Sequence, residues 1–225
     1  MEGQDSSNQS TAKLTYFNGR GLGEGVRFML AAAGVPFMES FVTEKEQLEK
    51  LRTDGKLTFM QLPLLEIDGL CLVQSRSIVR YLARKHGMDG KTPEEKARVD
   101  ILTEGGRDFM ASFDPPGFQS DEEILVKIKT KTLPRYLPIF DKILSSSSSG
   151  YLVGDSLTYA DMILLEALLN TEEFLPGSLK DFPKLQEFKD KISSLPQIKA
   201  FLEGPQRKPK NTPEYVANVK RVLDM

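Results

Sequence analysis

The chain has 225 residues, a length that fits one large domain or two small ones. Its 30 lysine and arginine residues nearly balance 32 aspartate and glutamate residues, for a formal charge of −2. This balance argues against a protein that binds nucleic acid through bulk phosphate contacts. A single cysteine and a single histidine exclude an intramolecular disulfide, a Cys–Cys redox pair and most structural zinc sites. We therefore expect no metal, and any Ser-His-Asp or Cys-His mechanism would have to use His86.

The amino terminus and the hydropathy pattern predict a cytoplasmic protein. Residues 1–12 are polar and acidic where a signal peptide would be basic and then apolar, so we expect a mobile tail there. No apolar run approaches the roughly 20 residues that a membrane-spanning helix needs. We therefore expect no membrane span, and a reducing compartment fits the cysteine content.

The first third of the chain alternates predicted strands and helices. A strand over 13–17, a helix that ends at Gly34 and a strand over 37–42 form a βαβ unit. The two strands of such a unit should be parallel. A short polar helix over 44–52 is expected next.

A β-hairpin is predicted after that helix, because two apolar runs flank Asp68-Gly69. Ser75 is expected to cap the following helix, which should close at Gly87. The order β-α-β-α-β-β-α over residues 13–87 predicts an α/β domain of the thioredoxin-like type, with a mixed sheet covered by helices.

Residues 88–225 are predicted to form an all-helical domain without strands. Capping boxes begin at Thr92, Ser120 and Thr158. Pro134 and Pro138 should bend or end the helix that starts near Ser120. Three other prolines stand where later helices should open: Pro183, Pro196 and Pro213.

Residues that often carry chemistry have plainer interpretations here. His86 stands at a helix end, where histidine complements the helix dipole. Cys71 alternates with leucines on a hairpin strand, and buried free cysteine is common. Arg80 and Arg84 follow one helical face and are expected to be solvated. The loop over 19–23 lacks the glycine spacing of a nucleotide-binding loop.

Three segments should converge at one edge of a thioredoxin-like domain: the end of the first strand, the loop before the hairpin and the start of the last helix. In this sequence they carry Tyr16, Gln61-Leu62-Pro63 and Gln74-Ser75. A helix N-terminus can take a carboxylate on its N–H groups, and an extended segment can pair with a ligand as an added strand. These residues therefore favour a peptide-like anionic ligand.

Short motifs recur in order along both predicted domains. They cover residues 14–21, 50–55, 61–63, 66–69, 72–76, 151–154, 158–161 and 207–210. With these motifs the sequence resembles the cytosolic glutathione transferases, most closely the alpha class. The resemblance implies attack of the glutathione thiolate on apolar electrophiles, with glutathione as cosubstrate and no metal.

The resemblance also implies roles for individual residues. The Tyr16 hydroxyl would donate a hydrogen bond to the glutathione sulfur and lower the thiol pKa. The positions that match glutathione-binding residues of the family are Arg20, Arg52, Gln61, Leu62, Pro63, Gln74, Ser75, Asp108 and Arg135. Leu62 precedes a proline that is cis in family members. Asp108 and Arg135 match residues that complete the site of the neighbouring subunit.

Family members bind the second substrate in an apolar pocket beside the sulfur. The matching positions are Phe17, Gly21, Leu22, Ala111, Pro115, Phe118, Val219, Val222 and Leu223. The helix over 213–223 would act as a lid. Phe59 matches an apolar key that inserts between helices of the partner, which implies a homodimer; an ordinary core phenylalanine is the alternative.

One departure from the family pattern bears on the chemistry. Alpha-class enzymes usually carry an arginine aimed at the thiolate at the position of Leu22. The lost positive charge should raise the thiol pKa. The alternatives are that Arg20 compensates in part or that Leu22 extends the apolar pocket.

Two further functions use the same fold. A glutathione-dependent isomerase or peroxidase would use the same thiolate in the same site. A non-catalytic protein could carry apolar ligands or have a structural role. The retained polar residues favour the enzyme: Tyr16, Gln61, Gln74, Ser75 and Asp108.

Overall fold

The computed structural model describes residues 11–113 and 121–225. Residues 1–10 of the predicted tail lie outside the described residues, as do Ser120 and the predicted pocket residues Pro115 and Phe118. Ala12, the last residue of the predicted tail, belongs instead to the first strand and is buried there.

Contacts between residues divide the chain into two compact units. The first unit consists of the residues up to Ile78 together with Arg207–Met225, and the second of Val79–Gln206. The carboxy-terminal segment therefore groups with the first unit. The predicted domain boundary after residue 87 stays a prediction.

The first unit contains a four-stranded mixed sheet in the order β2-β1-β3-β4. The strands are β1 (Ala12–Tyr16), β2 (Phe37–Phe41), β3 (Leu64–Ile67) and β4 (Leu70–Val73). As predicted, β1 and β2 are parallel, and β3 and β4 form the antiparallel hairpin. Strand β3 also pairs antiparallel with β1. The thioredoxin-like fold is confirmed.

The helices in chain order are α1 (Gly21–Ala32), α2 (Lys45–Thr53), α3 (Ser75–Lys85), α4 (Pro93–Met110), α5 (Asp121–Lys127), α6 (Leu133–Ser145), α7 (Tyr159–Phe174), α8 (Pro183–Ser193), α9 (Pro196–Glu203) and α10 (Pro213–Leu223). No strand occurs among the described residues after β4, so the predicted helical character of the second part of the chain is confirmed.

The core of the first unit explains where α10 lies. One cluster of buried side chains comprises Tyr16, Phe17, Val42, Leu48, Leu57, Leu64 and Val222. Val222 belongs to α10 and is only 2% exposed. Burial of such an aliphatic side chain contributes about 1.5 to 3 kcal/mol, so α10 is packed onto the first unit through its own apolar residues.

The start of α3 differs from the prediction. The Gln74 carbonyl accepts the N–H of Ile78 at 3.0 Å, so Gln74, and not Ser75, stands at the cap position. Ser75 is already the first helical residue. The reason is the backbone of Gln74, whose φ of 67° turns the chain from β4 into the helix.

Of the two predicted capping boxes that lie in the described part of the second unit, the one at Thr158 is complete. The one at Thr92 forms only in part, because the Glu95 carboxylate accepts the N–H of Lys91 at 2.6 Å. Thr92 Oγ1 accepts the N–H of Glu95 at 3.2 Å, and the Asp161 carboxylate accepts the N–H of Thr158 at 2.7 Å. Burial raises the pKa of Asp161 to about 6. The three later prolines do open α8, α9 and α10.

Pro138 lies inside α6 and does not end it, so of the two predicted effects of the prolines only a bend stays a prediction for this residue. A π-helical segment, Ile128–Thr132, separates α5 from α6. Pro134 falls in the first turn of α6, directly after this π-helical segment, and it supplies no backbone N–H to the continuing helix.

Candidate active site

Tyr16 is the last residue of β1 and is 7% exposed. Its ring packs edge-on against Phe17, with 5.4 Å between ring centroids. The backbone N–H of Leu22, in the first turn of α1, donates to the Tyr16 hydroxyl oxygen at 2.9 Å. A hydroxyl that accepts one hydrogen bond retains its own O–H as a donor. The phenol therefore lies at the positive end of a helix, where a negative charge is favoured.

Glycines allow this close approach of side chain and backbone. Gly21 has a φ of +39°, and a Cβ added there would lie 2.5 Å from the Tyr16 hydroxyl oxygen. The same Cβ would lie 2.8 Å from the hydroxyl oxygen of Tyr215. A Cβ at Gly23 would come within 2.6 Å of Tyr16 Cδ1. Two tyrosine hydroxyls thus flank one point of the loop, which only a residue without a side chain can occupy.

Tyr215, which the sequence reasoning missed, belongs to the first turn of α10. Its ring lies directly against Gly19, where a side chain would overlap it. Its backbone N–H donates to Thr212 Oγ1, the cap of the helix, at 3.2 Å. The signal in the sequence that could have identified it is a phenol at the start of the expected lid.

A second set of predicted residues meets at the other edge of the site. Gln74 Nε2 donates to Gln61 Oε1 at 3.5 Å, so the loop before the hairpin and the cap of α3 lie side by side. The Leu62–Pro63 peptide bond is cis. Ser75 begins α3 at this edge, and the structure brings these segments together as the sequence predicted.

The side chain of Arg52 contacts the backbone of the loop before the hairpin. Its Nε donates to the Met60 carbonyl at 3.0 Å, and its guanidinium pairs with Glu49 at 2.6 Å. The loop residue Met60 itself has a left-handed φ of 59°.

Arg20 contacts the segment over residues 207–211, which we call the strap. Its Nε donates to the carbonyl of Lys208 at 2.9 Å, and its backbone N–H donates to Asn211 Oδ1 at 3.3 Å. These contacts join the loop that follows Tyr16 to the segment that leads into α10.

The apolar residues predicted for the second substrate fall into different environments. Phe17 and Val222 are buried in the core cluster, and Val219 packs against it. Leu22 is 58% exposed, and Leu223 is also exposed. Their role in lining a substrate pocket stays a prediction.

Other predicted site residues belong to the second unit. Asp108 is exposed on α4, and Ala111 follows that helix. Arg135, in α6, places its guanidinium 5.0 Å from the ring centroid of Tyr136. Their role in completing a neighbouring site stays a prediction.

Phe59 is 63% exposed, and the adjacent Met60 is exposed as well. The alternative of an ordinary core phenylalanine is therefore wrong. An aromatic side chain this open on the first unit is available for contact with another surface.

The plainer interpretations need two corrections. Cys71 is exposed and not buried, because it lies on β4 at the edge of the sheet. Arg80 is not simply solvated, because it pairs with Asp100 at 3.1 Å and with Glu104 at 2.6 Å. His86 is exposed just beyond α3.

Arg80 borders a polar cavity of about 310 Å³ in the second unit, lined by Arg80, Arg84, Asp89, Lys96, Asp100 and Tyr159. Its charges pair with one another: Lys96 contacts Asp89 at 3.1 Å, and Tyr159 donates a hydrogen bond to Asp100. Burial and this contact with Asp100 raise the Tyr159 pKa to about 12.

The described residues lack two further features. They contain no helix long and apolar enough to cross a membrane. Among the same residues, no group of three or more His, Cys, Asp or Glu side chains could hold a metal ion.

Three features are those expected of one class of protein: a thioredoxin-like unit, a tyrosine at the end of β1 and a polar edge at the cap of α3. Residues 12–84 match the family model of the glutathione S-transferase N-terminal domain, and residues 107–205 match that of the C-terminal domain. The chain belongs to the glutathione S-transferase family and is a glutathione transferase.

The relatives place the chain with the alpha class. It is 46% identical over 217 residues to glutathione S-transferase A4 of Mus musculus and to glutathione S-transferase alpha-4 of Rattus norvegicus. Each match covers 94% of this chain and 97% of the relative. Among solved structures, the monomeric glutathione S-transferase Na-GST-3 of Necator americanus is 33% identical, with a TM-score of 0.75. That match covers 89% of this chain and 99% of the hookworm protein.

Proposed function

We propose that the chain conjugates the glutathione thiolate to small apolar electrophiles, and that the Tyr16 hydroxyl stabilises the thiolate. The observation that carries this proposal is the position of that hydroxyl. It is held at the N-terminus of α1 by the N–H of Leu22 at 2.9 Å. A thiolate that accepts a hydrogen bond from the phenolic O–H there would be next to a helix end that favours negative charge.

The free energy needed to ionise the glutathione thiol is within the range that one hydrogen bond and a helix end can supply. A thiol with a pKa of about 8.5 is only about 3% ionised near pH 7, and a pKa lowered by about two units makes it roughly three-quarters ionised. Such a shift corresponds to about 2.7 kcal/mol. One hydrogen bond to a charged group contributes about 1.5 to 3 kcal/mol, so the tyrosine and the helix end together can supply it.

The polar edge would bind the rest of glutathione. Leu62 would exchange main-chain hydrogen bonds with the cysteinyl part, as an added strand does. Gln74 and Ser75 would hold the γ-glutamyl carboxylate at the start of α3, because N–H groups there are unpaired within the helix. Arg52 and Gln61 would approach the glycyl carboxylate.

Two measurements on one preparation of the full chain test the proposal. We expect retention on immobilised glutathione and turnover of a generic aryl halide. Retention without turnover would favour a carrier of apolar ligands, and failure to bind glutathione would contradict the proposal. Since the same thiolate would serve peroxide reduction and isomerisation, both side activities are measured on the same preparation.

Leu22 offers a test of thiolate electrostatics. Leu22→Arg is expected to lower the apparent pKa in the pH profile of kcat/KM, because a cation beside the sulfur favours the thiolate. Activity should therefore increase most on the acidic side of the profile. Leu22 is 58% exposed, so the longer side chain can be accommodated. Leu22→Gln, polar but uncharged, is the control, and an unchanged profile for the arginine variant would contradict the prediction.

We also propose that the chain acts as a cytoplasmic homodimer, in which Asp108 and Arg135 serve the partner's site. Support comes from the exposed Phe59 on the first unit and from exposed apolar residues of the second unit, Ile101 on α4 and Ile139 on α6. Buried apolar area is the main source of association free energy.

Phe59→Ala is expected to shift the chain from dimer to monomer in sedimentation equilibrium, because it removes the largest exposed apolar group of that loop. The KM for glutathione should rise as the dimer is lost. Met38→Ala, which removes a side chain 57% exposed on β2, is the matched control. A wild-type chain that is monomeric at all concentrations would overturn the dimer proposal.

A further inference from the structure

A network of buried charges joins the strap to α1 and β2. Lys208 Nζ contacts Glu39 Oε2 at 2.6 Å, and Arg207 pairs with Glu24. Arg27 links the two acids, with its Nη1 2.8 Å from Glu24 Oε2 and its Nε 2.6 Å from Glu39 Oε1. Three cations and two carboxylates thus form one connected set.

This network has little access to solvent. The side chains of Glu24 and Arg27 are fully buried, and that of Lys208 is 8% exposed. Lys208 Nζ also lies 4.6 Å from the ring centroid of Phe41, and the Arg207 guanidinium 5.2 Å from that of Phe28. Removing one partner of a buried ion pair leaves an uncompensated charge, so the strap has one strongly favoured position.

The position of the strap sets the position of Tyr215. Arg20 binds the carbonyl of Lys208 and the side chain of Asn211. The next residue, Thr212, caps α10 by accepting the N–H of Tyr215. Because α10 starts directly after the strap, a shift of the strap moves the Tyr215 ring.

The same network fixes the surface against which Tyr215 packs. Arg27 Nη1 donates to the carbonyl of Gly19 at 2.8 Å, and Gly19 is the residue under the Tyr215 ring. The loop that follows Tyr16 and the helix that carries Tyr215 are therefore aligned by one set of buried ion pairs.

The far end of α10 is held by weaker contacts. Arg221 pairs with Glu44 and Lys45 with Asp224, and all four side chains are largely exposed. Exposed ion pairs contribute little to stability, because water screens the charges. The Thr43 carbonyl also accepts hydrogen bonds from Asn218 Nδ2 at 2.9 Å and from Arg221 Nη2 at 2.7 Å, at exposed positions. The ion pairs of the strap, by contrast, are buried.

We infer that Lys208 and Arg207 are positioning residues that hold Tyr215 beside Tyr16, and that they act on the reaction of the electrophile through Tyr215. The inference rests on the proposed function, since it assigns the α10 side of that site to the second substrate.

Lys208→Met in the full chain tests this inference, because methionine keeps much of the apolar stem and removes the charge. We expect kcat/KM for an aryl halide to fall roughly tenfold, since small misplacements of site groups have effects of this size. Retention on immobilised glutathione should persist. Amide hydrogen exchange over residues 212–223 should accelerate. Lys220→Met, which removes an exposed cation of α10, is the matched control and should change none of these.

A double-mutant cycle separates positioning from general stability. If Lys208 acts through Tyr215, then Lys208→Met should have little further effect on kcat/KM in a Tyr215→Ala background. Additive kinetic losses, or unchanged hydrogen exchange of α10, would overturn the inference. Arg207→Gln provides the same test if the Lys208 variant does not fold, since Glu24 then keeps Arg27.

Failure of the proposed function has a different signature. A Tyr16→Phe variant with full activity would refute thiolate stabilisation by Tyr16. In that case faster exchange of α10 in Lys208→Met, with a coupled kinetic loss, would still support the positioning role.

Discussion

Tyr16→Phe is expected to lower kcat/KM for an aryl halide about 10- to 100-fold near pH 7, while the variant still binds immobilised glutathione. The substitution removes one O–H donor and keeps the ring, which packs against Phe17 in the core cluster. The expected loss of about 1.5 to 3 kcal/mol is that of a hydrogen bond to a charged acceptor. Retention should persist because the residues of the polar edge are unchanged.

The pH profile distinguishes thiolate stabilisation from a loss of structure. A donor to the sulfur lowers the thiol pKa, so its removal should move the apparent pKa of kcat/KM upward, toward the free-thiol value of about 8.5. The variant's deficit should therefore be largest on the acidic side and shrink as the pH rises. A uniform loss at every pH, or wild-type activity, would contradict the assignment.

Tyr151→Phe is the matched control for the loss of a hydroxyl. Tyr151 belongs to the second unit. Lys191 Nζ lies 3.5 Å from the centroid of its ring, and a phenylalanine ring can make the same contact. We expect an unchanged pH profile for this variant.

Much of the fold could be predicted because its signals are local. Asp68-Gly69 determines a two-residue hairpin turn, and Thr92 and Thr158 cap helices through residues three positions away. Prolines mark helix starts for the same reason. Each of these interactions is encoded within a few residues, so no tertiary information is needed.

The predictions that were wrong or missing concern residues whose environment depends on partners far along the chain or on backbone geometry. Arg80 finds its carboxylate partners on α4, and Cys71 is exposed because β4 is an edge strand. The packing of Tyr215 on Gly19 spans almost the whole sequence. Periodicity within one segment cannot reveal such contacts, because it reports only which face of that segment is apolar.

The candidate site was predicted in part. The convergence of Gln61 with Gln74 follows from the thioredoxin-like order of elements and is observed. The second tyrosine was not found, because its role depends on the strap and the buried network that positions α10. A site that takes its nucleophile from a cosubstrate needs few reactive side chains of its own. Catalysis then depends on the groups that bind the sulfur and on the backbone that positions those groups.

Gly21→Ala is expected to lower kcat/KM about 100-fold, at least as much as loss of the Tyr16 hydroxyl, because displacement of a site group by about 1 Å can have this effect. The added Cβ would lie 2.5 Å from the Tyr16 hydroxyl oxygen and 2.8 Å from that of Tyr215. Both phenols would have to move. Tyr16 would then lose the hydrogen bond that its hydroxyl accepts from the N–H of Leu22.

Gly34→Ala is the matched control, because it separates steric displacement from backbone strain. Gly34 has a φ of +64°, and a Cβ there would meet no atom within 4 Å. A left-handed alanine costs about 1 to 2 kcal/mol, so both variants should lower the Tm. Only Gly21→Ala should lower kcat/KM. Equal kinetics in the two variants would contradict the prediction that a side chain at Gly21 displaces the Tyr16 hydroxyl from its catalytic position.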